Sequence, residues 1–125
     1  MELLVAYSYY RCYYLAKTSC LVQQWLAPCS STLYRKAHLD TYEAYCQLSC
    51  SNMVSDLTFA PPLGKEDAVW TANFFKESYR QAGLEVFRIV KPMDSATNEV
   101  VVHFMHQGLN TQVYESLNEV LSELS

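Results

Sequence analysis

Glycine and proline are both scarce in this chain, with three and four copies among 125 residues. Long runs of turn-rich β structure are therefore poorly supplied with chain-reversing residues, and helices joined by few connections are the expectation. Charge is sparse as well. Charged residues make up 18% of the sequence against 50% hydrophobic, which excludes the highly charged, disordered class. Basic residues are the scarcer of the two signs, nine Lys and Arg facing thirteen Asp and Glu for a net charge of −4. Residues 1–62 balance, while 63–125 hold five basic residues against nine acidic ones. Neither half presents a basic stripe, so nucleic-acid binding by counterion displacement is disfavoured.

Motifs of known chemistry are also missing. No GxSxG, HExxH, CxxC, phosphate-loop or dinucleotide fingerprint occurs anywhere. Leu63-Gly64-Lys65 and Gly108-Leu109-Asn110 each precede an expected helix, whose free N–H groups can hold anions, but neither has the glycine spacing of a phosphate loop. No internal repeat or low-complexity segment stands out. The apolar stretch Leu3 to Leu26 is interrupted by Arg11 and Lys17 and preceded by Glu2, so it is expected to be neither a signal peptide nor a membrane span.

What is present suits one hydrophobic core, a single globular domain over 1–125. Cys12, Cys20, Cys29, Cys46 and Cys50 are an odd set in a chain long enough to fold without staples, which points to free thiols and a reducing, cytoplasmic compartment.

The hydrophobic pattern predicts a long N-terminal helix over 4–26, stopped by Ala27-Pro28. Leu3, Tyr7, Tyr10, Tyr14, Leu21 and Trp25 would share one side of it. Leu3 to Tyr10 is rich enough in Val and Tyr to form a strand instead. Residues 31–57 read as helical, in one bent rod or two pieces, with Ser30 and Ser31 as caps and a second start at Asp40 and Glu43. Phe59 to Gly64, with two prolines and a glycine, is the clearest break. A helix from Lys65 to Ala82 follows, terminated by Gly83. Val86 to Lys91 alternates as a strand, and Glu99 to Met105 would pair with it in a hairpin. A last amphipathic helix, capped by Asn110, carries Val113, Leu117, Val120, Leu121 and Leu124. The expected class is thus a helix-rich α+β domain: the long N-terminal helix, two or three further helices, and a C-terminal β-hairpin followed by an amphipathic helix.

Candidate sites follow from side-chain chemistry. Ten tyrosines is a high count, and a cluster of rigid rings with polar tips suits a contact surface or a pocket for a flat or cationic ligand. Tyr7, Tyr10, Tyr14, Trp25 and Trp70 are the binding candidates, as a subunit interface or as a pocket formed by residues of 7–25 and 70–79. Core filling is the plainer use of the same rings. Cys50 with His103 is the nucleophile pair a cysteine enzyme would use. Cys46, Cys50, His103 and His106 form a chemically sensible zinc set, but a CxxxC beside an HxxH lacks the knuckle spacing of structural zinc sites. No cofactor is expected. The function expected first is a non-catalytic protein-interaction module, self-associating as a homodimer or binding another protein through its Tyr-rich N-terminal segment. A ligand sensor with an aromatic pocket and a Cys/His enzyme are the alternatives.

Overall fold

The computed structural model describes residues 1–93 and 110–124. It is built on a six-stranded mixed sheet: β1 (Glu2–Tyr7), β2 (Tyr10–Leu15), β3 (Cys20–Trp25), β4 (Asn52–Asp56), β5 (Val86–Val90) and β6 (Thr111–Tyr114). Spatial order follows chain order, β1-β2-β3-β4-β5-β6. The first three strands form an antiparallel meander, and β4, β5 and β6 join parallel to β3. Parallel neighbours require crossovers. α1 (Ser31–Cys46) connects β3 to β4, and α2 (Lys65–Phe74), continued by a π-helical turn over Phe75–Tyr79, connects β4 to β5. α3 (Leu117–Leu124) follows β6.

Alternation along the strands sorts the core into two layers. Tyr10, Cys12, Leu21, Trp25, Met53, Phe87 and Ile89 pack with Tyr34, Ala37 and Tyr45 of α1 and Ala68 of α2. Cys20, Val22, Val54 and Val90 point the other way, towards Val120 of α3. β3 is covered on both faces and buried along its whole length. Fully burying a Leu, Ile, Met or Phe contributes roughly 1.5–3 kcal/mol, so Leu21, Met53, Phe87 and Ile89 anchor the first layer.

The expected N-terminal helix is not formed: residues 2–25 are three strands. A segment apolar on every side of a helical projection is equally one buried on both faces of a sheet, and the Val- and Tyr-rich composition favours the latter. Its turns escape notice because they use no glycine or proline. Ser8 and Tyr9 join β1 to β2, and Ala16 to Ser19 join β2 to β3, with Ser19 in the left-handed region at φ 51°.

Region 31–57 is likewise only partly helical, a 16-residue helix followed by a 5-residue strand. α1 is capped as expected, Leu33 N donating to Ser30 Oγ at 3.2 Å, but it runs through Asp40 and Glu43 and ends at Cys46. Residues 52–56 are β4, whose Asn-Met-Val-Ser-Asp run does not alternate and is too short to separate from a helical period.

α2, its π turn and Gly83 at φ +99° stand where a Lys65 to Ala82 helix with a glycine terminator was expected. The expected C-terminal hairpin is not formed on β5: both of its edges carry parallel neighbours, β4 and β6. The hairpin's second strand, Glu99 to Met105, lies outside the described residues. After Asn110 comes β6 and not a helix; the amphipathic helix starts at Leu117, with Val120 buried and Leu117 and Leu124 packed around it.

Candidate functional site

In an open α/β sheet, the carboxyl ends of parallel strands and the amino ends of the following helices leave a crevice. Here that crevice is a cavity of about 170 Å³. Its floor is the first core layer: Gln23 and Trp25 from β3, Ser55 and Leu57 from the end of β4, Phe87 and Ile89 from β5. Ser31, Tyr34 and His38 of α1 form one wall; Asp67 and Thr71 of α2, with Phe75 beyond it, form another. Ala27, Pro28 and Cys29 and the segment from Ala60 to Gly64 make the lip. Prolines suit a lip that leaves a strand without continuing its ladder.

Two directional chains of hydrogen bonds fix the polar groups here. Thr41 Oγ1 donates to Ala37 O at 2.8 Å, one helical turn back, and so must accept from Tyr10 OH at 2.6 Å. Tyr10 oxygen then accepts from Gln23 Nε2 at 3.0 Å. The same arrangement recurs on α2: Thr71 Oγ1 donates to Asp67 O at 2.6 Å and accepts from Tyr34 OH at 2.7 Å.

The first chain orients the Gln23 amide. With its nitrogen towards Tyr10, Nε2 also faces His38 Nδ1 at 3.5 Å, a long hydrogen bond in which the imidazole accepts. The ring proton then sits on Nε2. Burial pushes the His38 pKa down to about 3, the Asp67 carboxylate only partly opposing this, so the ring is neutral at physiological pH.

The result is a pair of unfilled polar atoms. Gln23 is completely buried and His38 is 2% exposed, yet Gln23 Oε1 and His38 Nε2 have no hydrogen-bond partner. Tyr45 Oη, Tyr79 Oη and Arg88 Nε share that condition among the described residues, but only Gln23 and His38 line the cavity. A buried polar group without a partner costs about 1–3 kcal/mol. Gln23 in the floor and His38 in the α1 wall thus each carry one buried polar atom without a partner.

Among the described residues, formal charge in the lining is confined to Asp67, and it is already satisfied. Arg35 Nε meets its Oδ1 at 2.9 Å, and the Ser31 hydroxyl donates to Oδ2. Arg35 in turn lies over the Trp70 ring, 5.1 Å from its centroid. Cys29 is kept as a thiol, its pKa raised by burial and by Asp67.

Of the five aromatic residues singled out from sequence, Trp25 lines the cavity. Tyr10 lies beneath it as the partner of Gln23. Tyr7 is half-buried at the sheet edge, donating to Asp40 Oδ2 at 2.5 Å beside Lys36. Tyr14 and Trp70 are half-buried on the border of the first core layer. The structure thus brings Tyr10 and Trp25 together, ring centroids 4.2 Å apart, and sets Trp70 against His38 at 5.8 Å, while Tyr7 and Tyr14 lie outside the cavity lining.

Cys46 is exposed at the end of α1, and Cys50 lies past it, with Ser19 O at 3.2 Å and Asn52 O at 3.1 Å as alternative acceptors for its one S–H proton. Burial raises the Cys50 pKa, the reverse of an activated thiolate. His103 and His106 lie outside the described residues. Among the described residues no group of three or more His, Cys, Asp or Glu is placed to hold a metal. No helix there is long and apolar enough to cross a membrane.

Gln23 and His38 were not recognised from sequence. The available signal was a polar pair, Gln23-Gln24, inside an otherwise apolar run, which a strand reading would have sent to opposite faces of the sheet. No protein-family model and no curated protein matches the chain.

Proposed function

We propose that the protein is a non-catalytic domain that binds a small, uncharged molecule in the crevice at the carboxyl ends of β3, β4 and β5. The observation that carries this reading is the cavity of about 170 Å³ itself, with Trp25, Tyr34, Phe75 and Phe87 offering flat apolar surface and Gln23 and His38 in its lining each holding a buried polar atom without a partner. The paired state of Asp67 supports an uncharged ligand, since no free charge awaits a counter-ion. Five free cysteines support a reducing, cytoplasmic setting.

The test is thermal unfolding across a panel of small ring compounds, repeated on Ala60→Trp, which fills the lip. Binding raises the melting temperature with ligand concentration, by about 2.7 kcal/mol of added stability at a hundred times Kd. The rise should occur in the native chain and vanish in the variant. A panel without any rise would overturn the reading.

Self-association is the second reading, and a separate observation favours it. β1 is an edge strand, and Met1, Leu3 and Leu26 leave apolar surface exposed around it, Leu3 at 57%. Free strand edges and apolar patches are where a second copy docks. Sedimentation of the native chain and of Leu3→Lys decides this: a dimer lost in the variant supports it, and a monomer at all concentrations removes it.

A further inference from the structure

β1 has β2 on one side and, among the described residues, no strand on the other. Its free edge is not that of a regular strand. Leu3 opposes Tyr13 and Val5 opposes Cys12, so Leu4 is an extra residue, a β-bulge. Side chains of a regular strand alternate between faces, and here the alternation is broken once. Glu2, across from Tyr14, and Tyr7, across from Tyr10, lie on the α1 side of the sheet, and Leu4 and Val5 both pack on the core of that side. Leu3, across from Tyr13, and Ala6, across from Arg11, lie on the far side. From either end of β1 the faces therefore come in the same order: α1 side, far side, α1 side, α1 side, far side, α1 side.

Such a palindrome is matched residue for residue by an antiparallel copy of itself. A twofold axis between Leu4 and Val5 sets Glu2 opposite the partner's Tyr7, Leu3 opposite the partner's Ala6 and Leu4 opposite the partner's Val5, each against a side chain on its own face. A straight strand would leave one residue of the bulge unopposed. The side chains agree with this pairing on both faces. On the far side, exposed Met1, Leu3 and Leu26 line an open groove with Ala6, Arg11 and Tyr13, and each Leu3 would be received beside a small Ala6. On the α1 side, Glu2 arrives at a Tyr7 ring over which Lys36 Nζ lies, 5.3 Å from its centroid. That ammonium gives one N–H to Tyr7 OH at 3.0 Å and one to Asp40 Oδ2 at 2.8 Å, leaving its third for the Glu2 carboxylate. Resting on the reading that the chain self-associates at this edge, we propose that two copies join as a twofold dimer by antiparallel pairing of β1 with β1, Leu3 opposite the partner's Ala6, so that their sheets become one.

Thiols at the two facing positions test the register. Leu3→Cys and Ala6→Cys chains, each also carrying Cys46→Ser to remove the exposed native thiol, are oxidised singly and as a mixture, with the Cys46→Ser chain as baseline, and covalent dimer is read on non-reducing gels. Facing side chains have Cβ atoms about 4.5–5.5 Å apart, whereas the two copies of Leu3 would be offset by three residues, roughly 10 Å along the strands. Covalent dimer is therefore expected in the mixture and at baseline in either chain alone. Covalent dimer from Leu3→Cys alone or Ala6→Cys alone would overturn the register while leaving self-association in place. In the native chain, hydrogen exchange at the β1 amides should slow as protein concentration rises through the range in which sedimentation shows dimer; unchanged β1 exchange in a dimerising chain would overturn the strand pairing. A native chain that sediments as a monomer at all concentrations would overturn the self-association reading itself.

Discussion

Gln23 Nε2 and His38 Nδ1 face one another at 3.5 Å across the boundary between β3 and α1, and His38 stays uncharged there because water is excluded from around it. The consequence is a pH dependence of stability with a definite sign. In the unfolded chain the imidazole takes a proton near pH 6.5, whereas in the folded chain it resists until about pH 3. Below 6.5 the unfolded state binds the extra proton, so stability falls with falling pH at up to about 1.4 kcal/mol per unit. Urea unfolding at pH 7 and pH 5 should show a loss of roughly 2 kcal/mol that is absent in His38→Phe. Asp40, whose carboxyl is held below its usual value by Lys36 and Tyr7, does not titrate in that interval. Equal losses in both proteins would show that His38 is not held neutral.

The two Tyr–Thr chains predict matched effects on stability. Thr41→Val keeps the side-chain shape but leaves the buried Tyr10 hydroxyl without its acceptor; Thr71→Val does the same to Tyr34. Each should cost about 1–3 kcal/mol in urea unfolding. Adding Tyr34→Phe to Thr71→Val should recover part of that loss, because no hydroxyl then remains to be satisfied. Additive losses in this double mutant would mean that the bond contributes nothing.

How much of this was legible beforehand depends on which residues punctuate the chain. Gly83 and the Pro61-Pro62-Leu63-Gly64 break mark real boundaries, and the helix between them was readable because glycine and proline act through backbone geometry alone. The β1-β2-β3 meander was not, because Ser8-Tyr9 and Ala16 to Ser19 make its turns without such residues. Trp25 was singled out as part of the aromatic N-terminal segment, though on the face of a helix that is not formed. His38 was not, since its role comes from Gln23, fifteen residues away in sequence and placed beside it only by the β3–α1 connection.

Backbone conformation gives a pair of predictions of opposite sign. Ser19 is held at φ 51°, a region that costs a residue with a Cβ about 1–2 kcal/mol. Ser19→Gly removes that strain and is offset in part by the greater freedom of glycine in the unfolded chain, leaving a gain of about 0.5 kcal/mol. Gly83 at φ +99° is the reverse case: no atom would meet an added Cβ, so Gly83→Ala tests conformation alone and should destabilise by about 1–2 kcal/mol. Thermal unfolding of the two variants should therefore bracket the native chain. A lower melting temperature for Ser19→Gly would show that the Ser19 side chain contributes more than its backbone strain costs.

Thiol chemistry should divide the five cysteines by burial and not by spacing. Cys12 and Cys20 are completely buried, and that burial pushes both up to about 12. Cys50 is half-buried, raised in pKa by the same cause, and lies within hydrogen-bond reach of two carbonyls. The thiolate is the reacting species, so a disulfide reagent at pH 7.5 should label exposed Cys46 first and Cys50 more slowly than a model thiol. Cys12 and Cys20 should react only as fast as the chain opens, so their labelling should accelerate in urea in step with unfolding. Rapid labelling of Cys50 in the native chain would instead restore it as a candidate nucleophile.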